Sequence, residues 1–324
     1  MKRLNLVLLV IASVFLVAML HRAGWDNLAH YLRKVSYYWP LVLVPYGLFS
    51  LLGALSWKIL LPARPGCPTF TRLFLLRLAG ESINQLTPTA SLGGEPYKAL
   101  RLHFDGIAWQ EAVGSIVIHK GIMVLSLVLY IILSVVLAPF VFAGDMPHPV
   151  LMAAAATLLV GAGAVFVMLQ LSRPCISVIE LLKKLSLCPA ALSAKRTELA
   201  ALDSYLAGFY REHFNLCLAA FCLLFLGWGV HAMEVYIVFR LLDHPVDLGT
   251  SLCFDGLASL FACLGFVIPG SLGVQDGGNV LLSLGLSLGA TFGAAFSIIR
   301  RLREGFWLAL GLLVISLESE RTAH

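Results

Sequence analysis

Charge is what this sequence has least of. Asp, Glu, Lys and Arg make up 13% of its 324 residues, about half the roughly one-quarter found in soluble domains. Hydrophobic residues make up 59%, and the mean hydropathy is +0.88. That balance excludes an ordinary soluble globular domain and points to a polytopic helical membrane protein. Metalloprotease and nucleotide-binding motifs are missing too: there is no H-E-x-x-H and no Walker A. The seven cysteines include no C-x-x-C pair, so neither a metal nor a disulfide framework is indicated; most sit in apolar runs as small hydrophobes. The net charge of +5 is scattered over short loops, which argues against nucleic acid and bears on topology and lipid headgroups instead.

Apolar segments lie near Leu4–Leu20, Trp39–Leu61, Phe70–Leu86, Ala108–Phe142, Pro149–Leu171, Phe214–Leu242, Gly249–Ile268, Gly277–Leu288 and Thr291–Leu317. The first is too long for a signal peptide and no A-x-A site follows, so it reads as a retained span. Six basic residues (Arg173, Lys183, Lys184, Lys195, Arg196 and Arg211) and amphipathic runs such as ISVIELLKKLSL mark 172–213 as a cytoplasmic loop on the membrane surface. The connections Ala143–His148 and Asp243–Leu248 hold acids and histidines but no Lys or Arg, which assigns them outside. Arg64, Arg72, Lys98 and Arg101 then place both ends of Phe70–Leu102 inside, so that stretch must enter and return as a hairpin. Arg22, Arg33 and Lys34 fall in a loop that this scheme puts outside, against the positive-inside trend.

The turn of that hairpin, GESINQLTPTASLGGEPYKAL, is polar and helix-breaking between apolar flanks, and GFVIPGSLGVQDGGNVLL repeats the pattern later. Laid together without gaps, Pro88 falls on Pro269, Glu95 on Asp276 and Leu100 on Leu281; further on, Lys120 falls on Arg301. With one span between two helix–hairpin–helix units, the second unit is expected upside down. Inverted repeats with broken helices at mid-depth are a transporter architecture, and irregular backbone survives there only beside protein or a watery cavity. Pro88, Gly93, Gly94, Pro269, Gly270 and Gly273 are the expected turn residues.

Charges inside apolar segments are the candidate site. A charge at the bilayer centre costs at least ~2.5–3.5 kcal/mol, so unpaired ones are disfavoured. Glu95–Lys120 and Asp276–Arg301 read as ion pairs pinning each hairpin to its helix, or as bases holding an anionic headgroup with acids that orient them; both readings stand. Arg300 lies beside Arg301. Arginine suits phosphate through its planar fork, lysine as a point charge. Glu81 and Asn84 share a polar face on the inbound leg, for bonds between the legs or for a headgroup. His119, His231, Glu234 and Asp255 are weaker candidates of the same kind.

The stretches NQLTPTASLGGEPYKALRL, IPGSLGVQDG and IIRRLREGFWLALGL resemble the flippase-like transmembrane family related to the membrane half of lysylphosphatidylglycerol synthases. The resemblance spans roughly Trp39 to Leu317. Its most specific parts are Pro88, Gly93, Gly94, Glu95 and Lys98 in the first hairpin, and PGSLGVQD in the second. Where family members commonly carry an R-E pair, Gln275 and Asp276 stand here, so no headgroup preference carries over. The R-R-L-R-E run resembles hopanoid-biosynthesis-associated members. What the resemblance implies is lipid translocation without catalysis or a cofactor. Synthase activity is not expected, because the sequence given ends at His324 soon after the last apolar segment.

The expected organisation is an N-terminal span and loop (1–38), a first repeat (39–142), a connecting span (149–171), the basic surface loop (172–213), an inverted repeat (214–317) and a tail (318–324). This makes an all-α protein with about six full spans plus two re-entrant hairpins, in a bacterial inner membrane with both termini cytoplasmic. Lys98, Lys120, Arg300 and Arg301, with Glu81, Asn84, Glu95 and Asp276, are the residues expected to meet a membrane lipid. A lipid-synthesis or glycosyl-transfer enzyme bound at the basic loop is the alternative role, and an enzyme acting on a lipid headgroup is another.

Overall fold

The computed structural model describes residues 33–62, 66–87, 92–141, 174–184, 196–265 and 268–321, with isolated positions between 157 and 168. The expected span Leu4–Leu20 lies outside the described residues, as do Pro88 and the connection Ala143–His148; Pro149–Leu171 lies largely outside them. Ten α-helices are described: α1 (Trp39–Ile59), α2 (Phe70–Leu86), α3 (Gly94–Phe104), α4 (Trp109–Val141), α5 (Pro174–Lys184), α6 (Arg196–Glu212), α7 (Phe214–Leu241), α8 (Leu248–Leu264), α9 (Val274–Gly285) and α10 (Ala290–Arg321). A single 3-10 turn, Pro269–Ser271, sits between α8 and α9. No strand occurs among the described residues. Helices α1, α4 and α7 are long and apolar enough to cross a membrane. Helix α10 has 32 residues but carries Arg300, Arg301, Arg303 and Glu304 in its interior.

The hairpin legs are shorter. The 17 residues of α2 and of α8 reach roughly 26 Å at 1.5 Å per residue, under the about 30 Å hydrocarbon thickness. The open end of the first hairpin is closed by Arg72 at the start of α2, which bonds Asp105 just after α3 at 2.8 and 3.2 Å. Glu318 near the end of α10 joins the same cluster, reached by Arg72, by Arg101 at 3.2 Å and by the Tyr97 hydroxyl at 2.5 Å. The open end of the second hairpin gathers around the beginning of α10, where Phe292 packs with Leu242, Val246 and Phe254. The two hairpins therefore open toward opposite ends of the same long helix.

Packing repeats between the units. Helix α10 runs against α2 of the first hairpin, and α4 runs against α8 of the second. Each long helix also packs on the outbound leg of its own unit, α4 on α3 and α10 on α9, while α1 and α7 pair with each other. In the register that lays Pro88 on Pro269, the first residue of α4, Trp109, falls on the first residue of α10, Ala290. Lys34 pairs with Asp243, so this basic residue, which runs against the positive-inside trend, lies at the end of the bundle held by the α7–α8 connection.

Among the described residues, two of the three buried apolar clusters lie toward the ends of the bundle, and the third joins Ile118, Leu206 and Leu224 of α4, α6 and α7. One end cluster joins Trp57, Leu73, Leu76, Leu102, Ala112 and Ile116 at the open end of the first hairpin. The other joins Val238, Phe239, Phe254, Phe292 and Phe296, with Phe239 meeting the last three rings edge-on at 4.8–5.4 Å between centroids. Cys217 and Cys253 are buried among apolar neighbours, while Cys222 and Cys263 are exposed on the bundle surface.

Between α4 and α7 lie α5 and α6, with Asp203 of α6 bonded by the backbone N–H groups of Cys175 and Ile176, both at 2.9 Å. Asp203 thus caps the first turn of α5 from another helix. Burial first, then the neighbouring carboxylate, pushes the Cys175 thiol up to about 12. Asp203→Ala is expected to loosen α5 by about 1–2 kcal/mol and to speed maleimide modification of Cys175 at pH 8, because losing the carboxylate favours the thiolate. Timed labelling in a background without the other cysteines measures it; an unchanged rate would mean burial alone protects the thiol.

Candidate functional site

Between the apolar ends lies a belt of buried charge, built from the closed ends of both hairpins and the middles of α4, α7 and α10. On the first hairpin, the legs touch backbone to backbone. A Cβ added at Gly94 would sit 2.0 Å from the Gly80 carbonyl oxygen, so only glycine permits this approach. Asn84 fastens the contact: its Oδ1 accepts the Gly94 N–H at 2.7 Å, and its Nδ2 donates to Glu95 at 3.3 Å. Glu95 lies 2.7 Å from Lys98 and 3.4 Å from Lys120 of α4, and Lys98 also meets Glu81 at 3.7 Å. Lys98 is 5% exposed with its ammonium 5.9 Å from the Trp57 ring centroid. Used above as a surface charge marking the cytoplasmic end, Lys98 is instead an interior residue whose charge is held by two carboxylates. Gly94→Ala is expected to cost ~1–3 kcal/mol, since neither leg can yield without moving backbone. Thermal unfolding in detergent measures this; a wild-type midpoint would show that the legs are not in contact.

On the second hairpin, Asp276 organises the turn. Its carboxylate is fully buried, accepts the Gly273 N–H at 2.9 Å, and takes both Nε and Nη2 of Arg301 at 3.0 Å. Gly273 itself has φ of 79°, a conformation that favours glycine. The Nη1 of Arg301 donates to the Gly270 carbonyl at 2.7 Å and to Glu304 at 2.8 Å. Four bonds to protein acceptors thus occupy a fork that has five N–H donors. The 3-10 turn carrying Pro269 and Gly270 packs on α2, so the tip of the second hairpin reaches the first.

A third group joins α7, α8 and α10. Arg300 is 2% exposed and lies 2.7 Å from Asp255 and 3.3 Å from Glu234, both fully buried. Arg303 lies 3.0 Å from Glu234 and 4.7 Å from the Tyr46 ring centroid, and its Nη1 donates to His231 Nε2 at 3.2 Å. A guanidinium only donates, so Nε2 accepts and the ring proton sits on Nδ1, which donates to Asp255 at 3.0 Å. Tyr130 of α4 donates to the same carboxylate at 3.2 Å. His119 bonds Ser56 of α1 at 2.9 Å.

All eight sequence-selected charged and polar residues thus lie in this belt: Glu81, Asn84, Glu95, Lys98 and Lys120 around the first hairpin, Asp276, Arg300 and Arg301 around the second. Of the turn residues, Gly93 precedes α3, Gly94 makes the contact with Gly80, and Gly270 and Gly273 shape the second turn. Arg303, Glu304 and Arg77 were among the participants not selected. Arg303 and Glu304 stood in the same charged run as Arg301, and the Arg303 partners Glu234 and His231 were among the weaker candidates. Arg77 on α2 is 3% exposed and was passed over, although a base one helical turn before Glu81 in an apolar segment was a signal. A cavity of about 1360 Å³ lies elsewhere, between the end of α1, the start of α2 and α6, and is lined by none of these charges. No cluster of metal-binding side chains occurs among the described residues.

Long apolar helices around a belt of paired charges define a multi-pass membrane protein. The family model for the lysylphosphatidylglycerol synthase TM region matches residues 5–311, nearly the whole chain. The chain belongs to that family. It is also 25% identical, over 97% of its own length and 96% of the relative's, to a protein of Methanothermobacter thermautotrophicus described as a UPF0104 membrane protein. No solved structure matches it.

Proposed function

We propose that this chain moves an amphipathic, phosphate-bearing lipid between the leaflets of a cytoplasmic membrane. The observation that carries this reading is the charge belt between two hairpins that open to opposite ends of the bundle, where the tip of the second, held by Arg301 of α10, packs on α2 of the first. The hairpins are re-entrant in this reading, each dipping from its own face, and six helices complete the crossing with both termini cytoplasmic. A polar path at mid-depth lets a headgroup cross while its acyl, polyprenyl or hopanoid portion stays in hydrocarbon. Buried ion pairs suit the task because their members can exchange partners with a passing phosphate. Translocation of this kind needs no nucleophile and no bound cofactor.

The test is reconstitution of the full chain in liposomes carrying a fluorescent phosphatidylglycerol, with dithionite bleaching of the outer leaflet. Bleaching beyond the outer-leaflet fraction at a rate proportional to protein is the expected result. Protein-free kinetics in well-reconstituted vesicles would remove translocation and leave the role of a membrane partner for a lipid-synthesis enzyme. A chemically altered lipid recovered from the vesicles would establish an enzyme.

A further inference from the structure

We infer that Arg77 and Trp307 form the anion-holding end of the lipid site, taking a phosphate-class oxyanion in the seam between α1, α2 and α10. The inference rests on the translocator reading for its biological ligand, though not for its geometry.

Arg77 differs from every other base in the belt. Lys98 and Lys120 share Glu81 and Glu95, Arg301 is held by Asp276 and Glu304, and Arg300 and Arg303 share Glu234. Arg77, at 3% exposure, makes no ion pair and its Nε has no hydrogen-bond partner among the described residues. Glu81 is the natural partner one turn along the helix, but it turns to Lys98 instead. What holds the guanidinium is space and a ring face. A Cβ on Gly53 of α1 would come within 2.4 Å of Arg77 Cζ, and the Phe49 ring centroid is 5.4 Å away. A ring face attracts the cation but accepts none of its hydrogen bonds.

Trp307 supplies a second, independent sign. Its Nε1 is buried and also lacks a hydrogen-bond partner among the described residues. The Cζ2 edge of the indole lies 3.0 Å from where a Cβ on Gly47 would be, so Trp307 and Arg77 both pack on α1 at a glycine, in the seam where α10 runs along α2. Each is a donor without an acceptor, and each belongs to a group that cannot accept. The Nε atoms of Arg300 and Arg303 also lack hydrogen-bond partners, but carboxylates stand within 3.3 Å of those guanidiniums and none pairs with Arg77 among the described residues. The chemistry that completes both Arg77 and Trp307 is an acceptor-only, negatively charged one; a phosphate oxygen cluster is such a group, and arginine's fork matches it. A carbohydrate or a cationic headgroup leaves the guanidinium uncompensated.

Equilibrium binding to the full chain in detergent tests the site, with dihexanoyl phosphatidylglycerol and inorganic phosphate as separate probes. Wild type is expected to bind the short-chain lipid saturably. Arg77→Gln should weaken binding at least about tenfold by removing a charge-assisted bond, Arg77→Lys should weaken it less, and Trp307→Phe should weaken it several-fold. Inorganic phosphate that competes fully assigns the pocket to the oxyanion alone; phosphate that fails to compete assigns it to the headgroup as part of a lipid. Either result upholds the site. Wild-type affinity in Arg77→Gln, or no binding of either probe to wild type, overturns it. Should Arg77→Gln fail to fold, unchanged affinity in both Arg77→Lys and Trp307→Phe overturns it as well. Because occupancy is measured without transport, a chain that binds through Arg77 but moves no lipid refutes the translocator reading and keeps the site.

Discussion

Arg300→Ala is expected to lower stability by about 3–5 kcal/mol and to remove most folded protein from a detergent size-exclusion profile. The reason is the pair of carboxylates it leaves behind. Asp255 and Glu234 are both fully buried, and Arg300 lies within 3.3 Å of each. After the change Glu234 keeps Arg303 and Asp255 keeps bonds from His231 and Tyr130, but the group carries one negative charge too many. Removing one partner of a buried pair costs far more than removing both. Arg300→Met combined with Asp255→Asn restores the charge balance while keeping an acceptor for Tyr130, and should recover at least half of the loss. Equal stability of Arg300→Ala and wild type would show that the carboxylates are solvated or protonated, against the geometry.

The second large effect is expected at Arg301. Alanine there leaves Asp276 buried with only the Gly273 N–H and releases the Gly270 carbonyl, so a loss of about 3–5 kcal/mol follows. Lysine keeps the charge, but a single ammonium cannot span both Asp276 oxygens and the turn carbonyl together, so an intermediate loss of about 1–2 kcal/mol is expected. Transport by Arg301→Lys, counted per folded molecule, should stay near wild type, because the fork is already filled by protein acceptors. Detergent melting curves paired with the bleaching assay give both quantities. Normal stability with strongly reduced transport would reverse the assignment, making Arg301 a headgroup ligand and not a fastener of the hairpin.

Segment positions were legible because apolar runs stop at proline, glycine or charge. Phe70–Leu86 coincides with α2, and Ala108–Phe142 and Phe214–Leu242 exceed α4 and α7 by a residue or two. Helix α3 was not among the apolar segments, since a leg containing Glu95, Lys98 and Arg101 hides its buried side, Ala99 and Leu102, under a low mean hydropathy. Membership of the charge belt was legible because charge inside an apolar segment must find a partner. Two partnerships were legible as well, Glu95 with Lys120 and Asp276 with Arg301; those of Lys98, Arg300 and Arg303 were not, since they depend on packing that the register of the two hairpins does not show. Lys98 has the look of a boundary charge until Gly80 and Gly94 bring the legs together and Trp57 covers it. The isolation of Arg77 was equally hidden, because it follows from Glu81 turning toward Lys98 and from the missing side chain at Gly53.

The crossed arrangement, in which each long helix packs along the other unit's hairpin, also sets an order of synthesis. Helix α2 carries Arg77 and Glu81 to the translocon long before α10 exists to lie beside it, and Arg72 and Arg101 wait as long for Glu318. The first hairpin therefore leaves the ribosome without its lateral cover and stays incomplete until the final long helix is released. A ribosome stalled before residue 290 would hold a nascent chain whose first half is inserted but not closed. Protease sensitivity of the loop at 104–109 in such stalled chains, lost once α10 is translated, would follow from that delay.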